Sequence, residues 1–278
     1  MLRPRIIPYL LVKNGGLVKT VQFDKPKYVG DPVNAVRIFN EKEVDELIVA
    51  DIDATALNKE PNYSLIKNLA AECRMPLCYS GGVKRVDQVE KIISLGVEKV
   101  GLSSAVISKP ELIAKAAEVV GNQSVVVVMD VKKSGRGGTY EMWTHNGSSK
   151  TGLCPIEFSR KAQDYGAGEI VVNSIDQDGM MKGYDLELAR SIHEAVHLPI
   201  TVLGGAGSLK DIGELIRELG TIGVAAGSIF VFKGIYRAVL INYPSRQEKD
   251  SLTAKLEDGP VIANRIGTQG RMDRTAIL

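Results

Sequence analysis

Two glycine pairs, Gly81–Gly82 in PLCYSGG and Gly204–Gly205 in PITVLGG, stand in matching contexts along the chain. Each is followed by a hydroxyl segment, Ser103–Ser104 after the first and Gly227–Ser228 after the second. Glycine lets backbone N–H groups approach an anion closely, and serine hydroxyls supply further donors. One glycine pair is also what a tight turn uses for steric reasons alone. Two pairs in the same order, joined by Gly179, predict two anion sites and an extended ligand with a phosphate-like group at each end. Candidate acids and bases stand at the ends of other apolar runs. Asp130 closes the apolar run SVVVVMD, while Asp51, Asp176 and Asp178 follow other apolar runs. Separately tuned carboxylates are suited to general acid and base work. Asp176 and Asp178 would equally suit an Asx-type turn before Gly179.

These residues sit at the ends of short β-rich segments. The pattern predicts eight strands: Arg5–Val12, Glu46–Asp51, Pro76–Tyr79, Lys99–Leu102, Ser124–Asp130, Glu169–Asn173, Pro199–Leu203 and Gly223–Ala226. Amphipathic helical segments separate them, and Asp31 before Pro32 reads as an N-cap followed by proline in the first turn. A ninth pattern, GIYRAVLI, is expected to form the helix after the last strand. Alternating βα units of this kind predict a single (β/α)8 TIM barrel, whose chemistry lies in the loops after the strands. DID at Asp51–Asp53 and SID at Ser174–Asp176 are separated by the same interval as the two glycine pairs. The barrel is therefore expected to be a two-fold repeat of half-barrels.

Residues 1–243 form the expected barrel domain, and residues 244–278 read as a polar, flexible C-terminal tail. A formal charge of +2 gives no reason to expect nucleic acid or a membrane surface as partner. No apolar run approaches a membrane span, and three cysteines without CxxC spacing argue against a disulfide framework or zinc site. A cytoplasmic protein without metal or other cofactor is expected.

RIIPYLLVKNGGLVK, GDPVNA, DELIVAD, SGGV, GAGEI, NSIDQDGMMKGYD, GGAG and AAGS together resemble the HisF family, the cyclase subunits of imidazole glycerol phosphate synthase. The resemblance covers roughly residues 3–240. It implies a bisphosphorylated nucleotide substrate and ammonia supplied by a HisH-like glutaminase at the opposite end of the barrel. The family's reaction uses one aspartate on strand one and another on strand five. Asp130 fills the second position as general acid, but Leu11 stands at the first, where the base is lost. Lys19 matches the cation that closes over substrate, and Asp178 belongs to the same site. Arg5, Glu46, Lys99 and Glu169 match the family's ring of charges gating ammonia, and Glu98 matches a glutaminase contact. The LLVK start, GLVKT and FNEKEVDEL resemble the WbuZ-type branch found with surface-polysaccharide genes, which implies a sugar amidotransferase as a further partner.

Four functions follow as expectations. The first is an ammonia-conducting subunit serving sugar amidation. The second is an authentic cyclase of histidine synthesis. A phosphosugar isomerase is the third, disfavoured by the same Leu11, and a non-catalytic phosphate-binding barrel is the fourth.

Overall fold

The structure, a computed structural model, describes residues 3–134 and 138–254. Eight strands form its centre: β1 (Arg5–Lys13), β2 (Leu47–Asp51), β3 (Leu77–Ser80), β4 (Lys99–Leu102), β5 (Val125–Ser134), β6 (Glu169–Ser174), β7 (Ile200–Leu203) and β8 (Gly223–Ala226). Each pairs in parallel with the next, and β8 returns to β1, so the sheet closes into a (β/α)8 barrel. Arg5–Pro8 pair with β8 while Tyr9–Val12 pair with β2, the stagger that strand tilt requires.

Continuous apolar strands follow from burial on both faces. Ile7, Tyr9, Ile48, Val126, Val128 and Val171 point into the lumen. Ile6, Leu10, Val49, Val127 and Val172 point outward onto the helices. Helix Pro32–Glu41 starts as its sequence predicts, with Asp31 Oδ1 accepting from Asn34 N at 2.8 Å. The half-barrel repeat is visible in backbone packing. Gly81 lies against the backbone of Asp51 at the end of β2, and Gly204 lies against that of Ser174 at the end of β6. Both glycines have positive φ, and a Cβ on either would collide with those strands.

Two strands continue past the barrel as hairpins. The chain after β1 folds back through Gly16–Val21 and Asp24–Gly30, and the chain after β5 folds back through Thr139–Thr144.

GIYRAVLI departs from the expected helix. Gly234 and Arg237 adopt φ of +71° and +49°, which turn the chain, and Phe232–Lys233 pairs antiparallel with Ala238–Val239. The outer position after β8 is instead taken by a helix at Arg246–Ala254, packed on helix Leu209–Leu219 with Leu252 against Gly213. Lys249 Nζ meets Asp45 Oδ1 at 2.7 Å, and Tyr243 OH donates to Ile6 O at 2.7 Å. The segment read as a polar tail thus begins as an ordered part of the barrel, because one apolar edge and two charges suffice to dock a polar helix. Residues 255–278 of that tail lie outside the described residues. No described helix is long and apolar enough to cross a membrane, and the described residues hold no cluster of metal-ligating side chains.

Candidate active site

The C-terminal strand ends converge on one cavity. Gly81, Ser103 and Ser104 line one flank, and Gly204, Gly205, Gly227 and Ser228 line the flank built by β7 and β8. Gly179 also lines it, though its missing Cβ is needed to let the Thr20 backbone approach. Gly82 faces a neighbouring side pocket with Lys84 and Ser104, and a Cβ there would meet Ala54 at 2.8 Å.

Leu11 and Asp130 both line the cavity. Leu11 packs at the upper edge of the lumen, beside Ala50 of β2, and brings no polar atom to the site. Burial pushes the Asp130 carboxyl up to about 7; the hydrogen bond from Asn173 Nδ2, 2.9 Å long, opposes this, and nearby Asp178 adds to it. An acid poised at that value holds a proton near neutral pH and can release it, which is what a general acid needs.

Lys19 is buried, its Nζ donating to Tyr9 O at 2.6 Å and lying next to Gly227. Burial brings its ammonium down to about 8, against the attraction of Asp178. Asp178 accepts from Thr20 Oγ1 (2.7 Å) and Phe23 N (3.1 Å). Its carboxyl is raised by burial despite those donors and Lys19. Asp176 accepts from Lys133 N at 2.8 Å and Asp176 O accepts from Gln22 Nε2. The two aspartates clasp the hairpins to the mouth instead of closing a local Asx turn. Asp51 caps the short helix Ile52–Ala56 through Asp53 N and Ala54 N, with burial raising its carboxyl.

Three polar residues escaped the sequence reading. His145 and Asn146, at φ of +52° and +55°, lie in the turn between Thr139–Thr144 and the short strand Ser149–Lys150, and both line the cavity. Asn146 Nδ2 donates to Ile52 O at 2.7 Å, so this turn closes over the mouth from the far side. The His–Asn–Gly triplet between alternating TYEMWT and SSK was a readable hairpin signal. Asn173 is nearly fully buried, and its Oδ1 has no partner. No periodicity distinguishes it from the apolar residues of its strand.

At the opposite end, Arg5, Glu46, Lys99 and Glu169 form a closed ring. Arg5 bonds Glu46 through Nη1 and Glu169 through Nη2, the latter at 2.8 Å. Lys99 Nζ meets Glu46 Oε1 at 2.7 Å and Glu169 Oε2 at 2.8 Å. Burial alone would lower the Lys99 ammonium, but Glu169 and Glu46 outweigh it and hold it above its ordinary value. Burial would likewise raise Glu169, and the two cations bring it below the usual carboxylate range. Glu98, beside the ring, accepts from Leu77 N at 2.7 Å. Thr201 Oγ1 donates to Glu169 Oε1 inside the ring, and the apolar residues that line the lumen above it include Ile7, Ile48, Val126 and Val171, with Cys78 and the Tyr9 phenol among them.

A family model described as histidine biosynthesis protein matches residues 5–236. The chain belongs to this family. Within it, the HisF proteins are similar to the chain over almost their whole length. A protein of Leptospira interrogans, provisionally named imidazole glycerol phosphate synthase subunit HisF, is 56% identical over 252 residues, covering 91% of this chain and 99% of its own. A protein of Vibrio vulnificus, provisionally named subunit hisF3 of the same synthase, is 57% identical, covering 90% of this chain and 96% of its own. The imidazole glycerol phosphate synthase subunit HisF of Petrotoga mobilis is 39% identical, covering 86% and 94%.

Proposed function

We propose that this chain is the barrel subunit of a glutamine-dependent synthase complex of the imidazole glycerol phosphate synthase type. In this reading it works in the cytoplasm and holds a doubly anionic ligand across the mouth, between the Gly81/Ser103–Ser104 and Gly204–Gly205/Gly227–Ser228 flanks. A HisH-like glutaminase docks beneath the charged ring and releases ammonia into it. Neutral ammonia suits the apolar lumen, which would exclude ammonium on desolvation grounds. The ring is closed by four ion pairs, so passage needs one of them to open. Asp130, kept protonated in part at neutral pH, then gives or takes a proton at the emerging nitrogen or the ligand.

One observation supports the finer reading: Leu11 presents hydrocarbon where a second proton-transfer group would complete the site. Ring closure on a nucleotide needs proton removal and delivery at separate atoms, and loss of one positioned group costs about 10²–10⁴-fold. On that ground the ammonia is passed on, and the resemblance of LLVK, GLVKT and FNEKEVDEL to the WbuZ-type branch supports a sugar amidotransferase of surface-polysaccharide synthesis as its acceptor. The decisive measurement is the glutaminase rate of a purified HisH-like partner, with and without this chain, using the family's bisphosphorylated nucleotide as ligand. Stimulation supports the complex. Its absence removes this reading and leaves a barrel that only binds phosphates.

A second reading has its own support. The family match and the relatives' names speak more directly for a cyclase of histidine biosynthesis than for sugar amidation. The base in that case is displaced, and Asp51, Asp178 and Lys19 are among the other titratable cavity-lining groups available to serve. Formation of imidazole glycerol phosphate from the nucleotide and ammonium salt, at a rate that falls when one of these groups is replaced, would establish it.

A further inference from the structure

The hairpin that replaces the expected helix after β8 exposes apolar side chains that the fold does not use. Ile235 is 88% and Tyr236 90% exposed at its turn, and Val239 and Leu240 are about half exposed beside them. The hairpin is anchored to the ligand end of the barrel. Arg237 stacks on Phe232 at 4.9 Å and reaches Gly179 O and Met181 Sδ at 3.4 Å, so the turn stands beside a loop that lines the cavity. Lys27, from the β1 hairpin, lies 5.5 Å from the centroid of the same Phe232 ring. Tyr28 next to it is also exposed. A short basic collar flanks this apolar turn: Lys233 on the hairpin and Lys27 beside Phe232 are both exposed.

We infer that this hairpin is the docking site of the enzyme that consumes the ammonia, a protein presenting an apolar pocket with an acidic rim. The inference rests on the reading in which ammonia leaves the barrel. Released into water at neutral pH, ammonia becomes ammonium and is lost as a nucleophile. A consumer must therefore cover the mouth while transfer occurs, and an anchor beside the mouth does this where an anchor on the barrel wall would not. A rigid turn carrying one aliphatic and one tyrosine side chain is the kind of element that dominates binding energy when seated in a pocket. The collar asks for negative charge on the partner and would steer it to the mouth.

The test uses the full chain in its complex with the glutaminase. Tyr236→benzoylphenylalanine is expressed in the protein's own host and photocrosslinked, and the adduct is identified by mass spectrometry. The captured enzyme is then purified and its amidation measured with glutamine, through the complex, and separately with ammonium salt. An adduct with an ammonia-consuming enzyme is expected. Ile235→Ser/Tyr236→Ser should lower its glutamine-driven rate roughly tenfold or more, leaving both the ammonium-driven rate and glutaminase stimulation unchanged. No adduct, an adduct only with the glutaminase or a second copy, or a glutamine-driven rate unaffected by the double substitution overturns the inference. Absent glutaminase stimulation by the unmodified chain instead removes the underlying function, so the two failures are read separately.

Discussion

Asp130→Asn should make the protein more stable at pH 8 and leave it unchanged near pH 4. The carboxyl sits at about 7 in the folded chain against 3.8 ordinarily, chiefly because it is buried. The folded state therefore holds a proton that the unfolded chain releases between about pH 4 and 7. Stability falls as pH rises through that window, since the folded state binds more protons there. A shift of about three units corresponds to roughly 4 kcal/mol at full burial; the side chain opens towards the mouth, which brings the lower bound to about 2 kcal/mol. Asparagine has the same shape, still accepts from Asn173 Nδ2, and never ionises. Nearby Asp178 and Asp51, also raised by burial, titrate in both proteins and largely cancel in the difference. Urea denaturation of both proteins at half-unit intervals from pH 4 to 8 measures this difference directly. A difference that stays flat with pH, or one favouring the aspartate at pH 8, would refute the assignment of Asp130 as a carboxyl kept protonated by its surroundings.

Three further outcomes follow from the same geometry. Leu11→Asp restores a carboxylate across the mouth from Asp130 and should raise ring formation with ammonium salt by about 10²–10⁴-fold; a change below tenfold, measured by product absorbance, would mean Leu11 is not what limits the chemistry. Lys99→Met leaves Glu46 and Glu169 sharing Arg5 alone, and loss of one partner from such a buried network should cost about 3 kcal/mol. Denaturant midpoints showing a loss under 1 kcal/mol would indicate a loosely solvated ring. Asn173→Leu removes the donor that holds the Asp130 carboxylate down, so the Asp130 titration midpoint, followed by carbon NMR of its carboxyl, should move above about 7. An unchanged or lower midpoint would count against that hydrogen bond.

Local pattern in the chain determined the elements. Continuous apolar runs marked the eight strands to within a residue or so at their starts, because a strand buried on both faces has no polar position to interrupt it. Asp31–Pro32 marked a helix start because capping is satisfied within a few residues. The cavity-lining glycines were also legible, since each stands at a strand end whose position the pattern had already set, whereas the four ring residues were read from the resemblance to the HisF family. Other features needed the closed barrel. Arg5 meets Glu169 only because β1 and β6 begin on the same rim, and the pKa of Asp130 depends on walls contributed by several strands. Nothing local foretold that Asp176 and Asp178 would hold the hairpins down, or that Asn173 would be left with a free acceptor inside the mouth. GIYRAVLI failed as a helix for the same reason. Its apolar content suited either form, and the place against the barrel was taken by Arg246–Ala254, whose polar sequence is stabilised mainly by what it touches. Sequence determines what short segments can form; closure of the barrel decides which residues become neighbours, and with them the electrostatics on which the chemistry depends.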